Sequence, residues 1–103
     1  MSINKRFLKS KPVCEVTFRI PQEDGKDFKK ASLVGDFNNW DTTVHQMKKI
    51  KKDGSFSISV DLPTGSEYQF KYLLDGRQWS VDRTADRQVT SHFSNSENSV
   101  VSL

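Results

Sequence analysis

Cysteine is almost absent from this chain: Cys14 is the only one in 103 residues. Neither an intrachain disulfide nor a cysteine-built zinc site can form, and a lone thiol fits a reducing compartment. Long apolar runs are missing too. No stretch approaches the roughly 20 apolar residues of a membrane span. The start, Met1 to Lys9, carries positive charge without the apolar run of about 7–15 residues that a secretory signal needs behind it. A cytoplasmic setting with no membrane partner is the expectation. Charge of one sign is scarce: 16 Lys+Arg against 13 Asp+Glu leave a net charge of +3, too slight to indicate a nucleic-acid partner. The length excludes a catalytic barrel of about 250 residues.

Catalytic and metal motifs are equally wanting. His45 and His92 are far apart and in no ligand spacing such as H-E-x-x-H, and they read as plain surface or edge histidines. Neither G-x-S-x-G nor a phosphate-cradling glycine loop occurs. The carboxylates Asp36, Asp41, Asp61, Asp75, Asp82 and Asp86 are scattered, most of them beside glycine or in loops, where Asp bonds its own backbone. No catalytic residue, no metal and no cofactor is expected, and the chain reads as a non-enzyme.

What is present is a strand pattern. Hydrophobic residues make up only 34%, but aromatics reach 11%, enough for a small core. Residues 1–12 carry Lys5, Arg6, Lys9 and Lys11, end at Pro12, and read as a flexible basic tail. From residue 13 the period is two. Cys14, Val16, Phe18 and Ile20 share a face, as do Ala31, Leu33, Gly35 and Phe37. Phe56, Ile58, Val60 and Leu62 form a third face, and Tyr68, Phe70, Tyr72 and Leu74 a fourth. Asp24-Gly25, Asp53-Gly54, Pro63-Thr64-Gly65 and Asp75-Gly76 punctuate the runs. Residues 82–96 are polar and loop-like, and Ser99 to Leu103 reads as a closing strand. No segment of ten or more residues has helical period. The expected fold is all-β, an antiparallel sandwich of about seven strands over residues 13–103.

The two tryptophans do not fit a plain core. Trp40 follows Asn38-Asn39 in a loop, and Trp79 follows Asp75-Gly76-Arg77-Gln78. Exposed aromatics beside amides and charges suit a flat ligand with apolar faces and hydroxyl edges, the form of a sugar ring. Register decides whether Trp79 is available. A two-residue loop, Asp75-Gly76, places Trp79 opposite Tyr72 on the core face. A three-residue loop, Asp75-Gly76-Arg77, places it opposite Leu73, with Gln69 and Lys71 outside the core. The three-residue loop is the reading adopted, although the residues alone leave Trp79 open between core and binding.

The string Leu33-Val34-Gly35-Asp36-Phe37-Asn38-Asn39-Trp40 resembles the G-x-F-N-x-W signature of carbohydrate-binding module family 48. That family includes the glycogen-binding domain of the AMP-activated protein kinase β subunit. It also includes the early-set domains preceding the barrels of isoamylases and branching enzymes in glycoside hydrolase family 13. Tyr68 to Gly76 followed by Trp79, and Asn95 to Val101, resemble two further motifs, so the likeness covers residues 13–103. The extra residue between Gly76 and Trp79 is similar to single-domain bacterial members, whereas the usual Asp-Pro is here Asp82-Arg83, which leaves the course of residues 82–96 open. The resemblance implies an immunoglobulin-like early-set sandwich that binds α-1,4-linked glucans, glycogen or starch, without catalysis. It implies that Trp40 and Trp79 stack on glucose units, that Lys71 and Asn98 bond hydroxyls, and that Phe93 occupies the apolar loop position. The implied partners are an α-glucan and a glycogen-metabolism enzyme or kinase on another chain. The alternative is an interaction domain of the same fold with a vestigial sugar site.

Overall fold

The computed structural model describes residues 1–91 and 96–103. Two antiparallel sheets face each other. The first runs β1 (Ser2–Phe7), β2 (Val13–Ile20), β6 (Ser55–Pro63), β5 (Lys48–Ile50). The second runs β4 (His45–Gln46), β3 (Ala31–Gly35), β7 (Glu67–Leu74), β10 (Glu97–Ser102), β9 (Arg87–Thr90). A further short strand, β8 (Gln78–Ser80), pairs with Tyr72–Leu74 of β7, end to end with β10, because β3 occupies the opposite edge. The only helical pieces among the described residues are one turn, α1 (Gln22–Gly25), and a 3-10 turn at Asp36–Asn38. No helix among them is long and apolar enough to cross a membrane.

The period-two faces meet in the core. Cys14, Val16, Phe18, Ile20, Phe56 and Leu62 from the first sheet pack against Ala31, Leu33, Phe70, Tyr72, Leu74 and Val101 from the second. Phe18 is fully buried, with its ring 5.0 Å from that of Phe70 in an edge-on arrangement and 6.2 Å from that of Phe37. Tyr72, also buried, donates its hydroxyl to Asp82 Oδ2 at 2.8 Å. Burial foremost, then the Asp82 carboxylate, pushes the Tyr72 phenol well above its ordinary pKa. Asp82 Oδ1 accepts from the amide and hydroxyl of Thr84, and Ser99 Oγ accepts from the Asp82 amide at 2.7 Å. These bonds fix the backbone between β8 and β9.

Ten strands stand among the described residues where about seven were expected. Residues 2–7, read as part of a flexible tail, instead pair along β2 from Ser2↔Arg19 to Phe7↔Cys14. The charges misled: Lys5 lies across Asp86, at 2.8 Å, and also donates to the Ser102 carbonyl, while Met1 and Ile3 pack at the rim of the core. The other unforeseen strand, β9, has one strongly apolar residue in four, Val89, and is held by pairing with β10 rather than by its own pattern.

Replacing Phe18 with alanine is expected to destabilise the fold by about 3–5 kcal/mol, because the site is walled by other rings and cannot collapse; urea denaturation measures this. Acid will act through surface carboxylates. The Glu67 carboxyl is held down to about 2 by hydrogen bonds from Arg87 and Ser102, against an ordinary value of 4.5. A carboxyl lowered on folding contributes stability above its unfolded value and loses it as pH falls. The urea midpoint of the wild type should therefore drop between about pH 4.5 and pH 2, and Glu67→Gln should flatten part of that drop.

Candidate functional site

Six residues from Gly35 build the loop that carries Trp40. Gly35 lies so close to β7 that a Cβ there would stand 2.5 Å from the Gln69 carbonyl oxygen and 2.8 Å from Phe70 Cβ. Phe37 turns inward against the rings of Phe18, His45 and Tyr68. Asn38 is buried and ties the loop: its Oδ1 accepts from the Gly35 amide at 3.0 Å, and its Nδ2 donates to the Leu33 carbonyl at 2.9 Å and meets His45 Nδ1 at 2.8 Å. Asn39 and Trp40 both have φ of 56°, in the left-handed region. Two consecutive non-glycine residues there are strained, each at a cost of about 1–3 kcal/mol. The strain is held by the Trp40 amide bonding the Gly35 carbonyl at 2.9 Å and by the indole Nε1 donating to Asp36 Oδ1 at 3.0 Å. Just beyond, the amide and hydroxyl of Thr43 bond the Asp41 carboxylate and lower its pKa.

Trp79 sits where the three-residue loop puts it. Leu74 pairs with Gln78, and Leu73 with Trp79. Asp75 and Gly76 both adopt positive φ, and the Arg77 amide closes the turn on the Leu74 carbonyl at 3.1 Å. Asp75 Oδ1 also accepts from the amides of Lys29 and Lys30, an arrangement that lowers its pKa, chiefly through the Lys30 bond. Trp79 is 48% exposed and Trp40 partly so, and neither indole is taken into the core.

Register places the remaining groups. Val34 pairs with Lys71, Ser32 with Leu73, and Val100 with Gln69, so these side chains share the outer face of the second sheet with Trp79. Continuing the β7–β10 register, Asn98 lies beside Lys71, one pleat repeat or about 7 Å along the sheet edge from Trp79. Trp40 is tied to the other end of β7 through Asp36, which holds its indole and accepts from the Gln69 amide through its other oxygen at 2.8 Å. Beneath this polar layer Val34, Leu73 and Val100 are buried, separate from the main core. Such a face offers an apolar floor, one exposed indole at Trp79, and amide and ammonium groups beside it. Phe93 lies outside the described residues.

Both of the expected hydroxyl-bonding groups are already engaged. Lys71 Nζ donates to Ser96 Oγ at 2.8 Å, and Asn98, only 7% exposed, donates to Gln69 Oε1 at 3.0 Å. Asp36, Gln69 and Ser96 were not foreseen as site residues. Asp36 was legible as a carboxylate four residues before a loop tryptophan; Gln69 and Ser96 become neighbours of the site only through strand pairing. Among the described residues no cluster of His, Cys, Asp or Glu could hold a metal ion.

The profile of the family described as "Glycogen recognition site of AMP-activated protein kinase" matches residues 16–102. The chain belongs to that family. Three relatives extend the likeness to 1,4-alpha-glucan-branching enzymes. That of Saccharomyces cerevisiae is 44% identical over 52 residues, which is 50% of this chain and 7% of the enzyme. That of Debaryomyces hansenii is 41% identical over 39 residues, 38% of this chain and 6% of the enzyme. The chloroplastic/amyloplastic enzyme of Oryza sativa subsp. japonica is 36% identical over 61 residues, 52% of this chain and 7% of the enzyme. The chain thus matches less than a tenth of the length of these enzymes, and the glycogen recognition family supplies the larger overlap. The loop glycine, Gly35, is required for a steric reason. Gly35→Ala is expected to cost about 1–3 kcal/mol, because the new methyl meets backbone rather than a movable side chain; thermal denaturation checks it.

Proposed function

We propose that the chain binds α-1,4-linked glucan without catalysing its conversion, as a cytoplasmic module that directs or regulates a glycogen-metabolism enzyme on another chain. The observation that carries this reading is the half-exposed Trp79 on the outer face, in register with Leu73 and beside Lys71 and Asn98, in a chain of the glycogen recognition family. Trp40 and Trp79 supply stacking surfaces, each contributing on the order of 0.5–1.5 kcal/mol beyond area burial. Lys71 and Asn98 exchange Ser96 and Gln69 for sugar hydroxyls, and a charged bond of the Lys71 kind contributes about 1.5–3 kcal/mol. Ordering and rigid-body costs remove much of the sum, so affinity for short oligosaccharides falls in the micromolar to millimolar range. The backbone strain at Trp40 supports the reading, since a loop built for stability alone would place glycine at that conformation.

One feature favours a second reading, an interaction domain with a vestigial sugar site: Asn98 is nearly buried and held by Gln69. The two readings separate on one experiment. Wild type should co-sediment with glycogen and give binding heat with maltoheptaose, and Trp40→Ala and Trp79→Ala should each weaken binding by roughly tenfold with melting temperature preserved. Absence of heat with the wild type at millimolar sugar would establish the second reading instead.

A further inference from the structure

The outer face does not stop at Trp79. Gln46 on β4 pairs with Ser32 on β3, Ser32 with Leu73 on β7, and Leu73 with Trp79 on β8. These four side chains form one row across four neighbouring strands, roughly 14 Å from end to end at the usual strand spacing. On the side of Leu73 away from Trp79 the row sinks into an open depression of about 170 Å³, lined by Lys30, Ser32, Thr42, Gln46, Leu73 and Gly76. Gly76 keeps one rim low, with positive φ and nothing within 4 Å of where a Cβ would project. Ser32 Oγ donates to Gln46 Oε1 at 3.2 Å, and Gln46 Nε2 donates to the Thr42 carbonyl at 3.2 Å. The Gln46 amide group therefore retains a second N–H, Ser32 retains acceptor capacity, and Lys30 forms no ion pair among the described residues.

We propose that this depression is an additional glucosyl subsite, which takes a ring of the same chain beyond those held by Trp40 and Trp79. The inference rests on the α-glucan reading above and deepens it. The chemistry of the lining suits a pyranose: Leu73 is a small apolar floor, and Lys30, Ser32, Thr42 and Gln46 offer donors and acceptors at the height of ring hydroxyls. A purely apolar partner would leave these groups unbonded, and an anion would need more than one cation. The consequence is a chain-length preference, since a short oligosaccharide fills only the space at the tryptophans and a longer one reaches across Leu73.

Isothermal titration with maltotetraose and maltoheptaose tests this, on wild type and on a Lys30→Ala, Gln46→Ala double variant. Both side chains are exposed, so the variant should keep its fold, which far-UV circular dichroism verifies. Wild type should prefer the heptaose by about tenfold, the worth of one or two neutral hydrogen bonds, and the double variant should lose that preference while binding the tetraose as before. In parallel, amide NMR signals of Ser32 and Gln46 should shift with heptaose and not with tetraose. Tetraose binding with an unaltered length preference in the double variant, or unmoved Ser32 and Gln46 signals at saturating heptaose, would overturn the subsite and leave the tryptophan site standing. No binding of either sugar to the wild type would overturn the α-glucan reading itself, and the subsite with it.

Discussion

The register of β7 is the constraint on which the rest depends. Its residues alternate between two environments that do not tolerate exchange. Tyr68, Phe70, Tyr72 and Leu74 face the core, and Gln69, Lys71 and Leu73 face outward. A slip of one residue would bury Lys71 and expose Phe70 and Tyr72. β3 fixes the strand along one edge, and β8 and β10 share the other. The same pairing that builds the core therefore places Trp79, Lys71 and Asn98 on one surface.

The Gly35–Trp40 loop is the second device, and it works against its own stability. Gly35 lets the backbone press onto β7, Asn38 and Phe37 anchor the turn from below, and Asp36 links the Trp40 indole to the Gln69 amide. Asn39 and Trp40 sit in left-handed backbone that a glycine would occupy at less cost. The Trp40 amide on the Gly35 carbonyl and the indole on Asp36 hold the strained pair in place. The partly exposed Trp40 side chain is thereby held in a fixed place.

Much of this was legible from residue order. Alternation identified the core faces of β2, β3, β6 and β7 because apolar side chains recur on every second residue along the face that each turns to the core. The choice between two loop lengths at Asp75-Gly76 came down to which side chain would face Leu74, and Gln78 does so near a strand end. β1 and β9 were not legible: Lys5 and Arg6 resemble a solvated tail until Asp86 and Glu15 are seen opposite them, and β9 has almost no apolar side to alternate. The fixed course of residues 82–90 depends on the buried Asp82, whose partners Tyr72 and Ser99 are 10 and 17 residues away.

The sequence by itself determined an all-β sandwich, its core faces, and a loop tryptophan, Trp40, outside the alternation, because side-chain alternation and turn chemistry are local properties of a strand. Tertiary structure alone decided that Trp79 would lie outside the core, that Gln69 would hold Asn98, that Asp36 would bridge the Trp40 indole and the Gln69 amide, and that Gln46, Ser32, Leu73 and Trp79 would form one row. Those relations are pairings between strands distant along the chain, and hydrogen-bond register, which residue order does not encode locally, sets which side chains become neighbours.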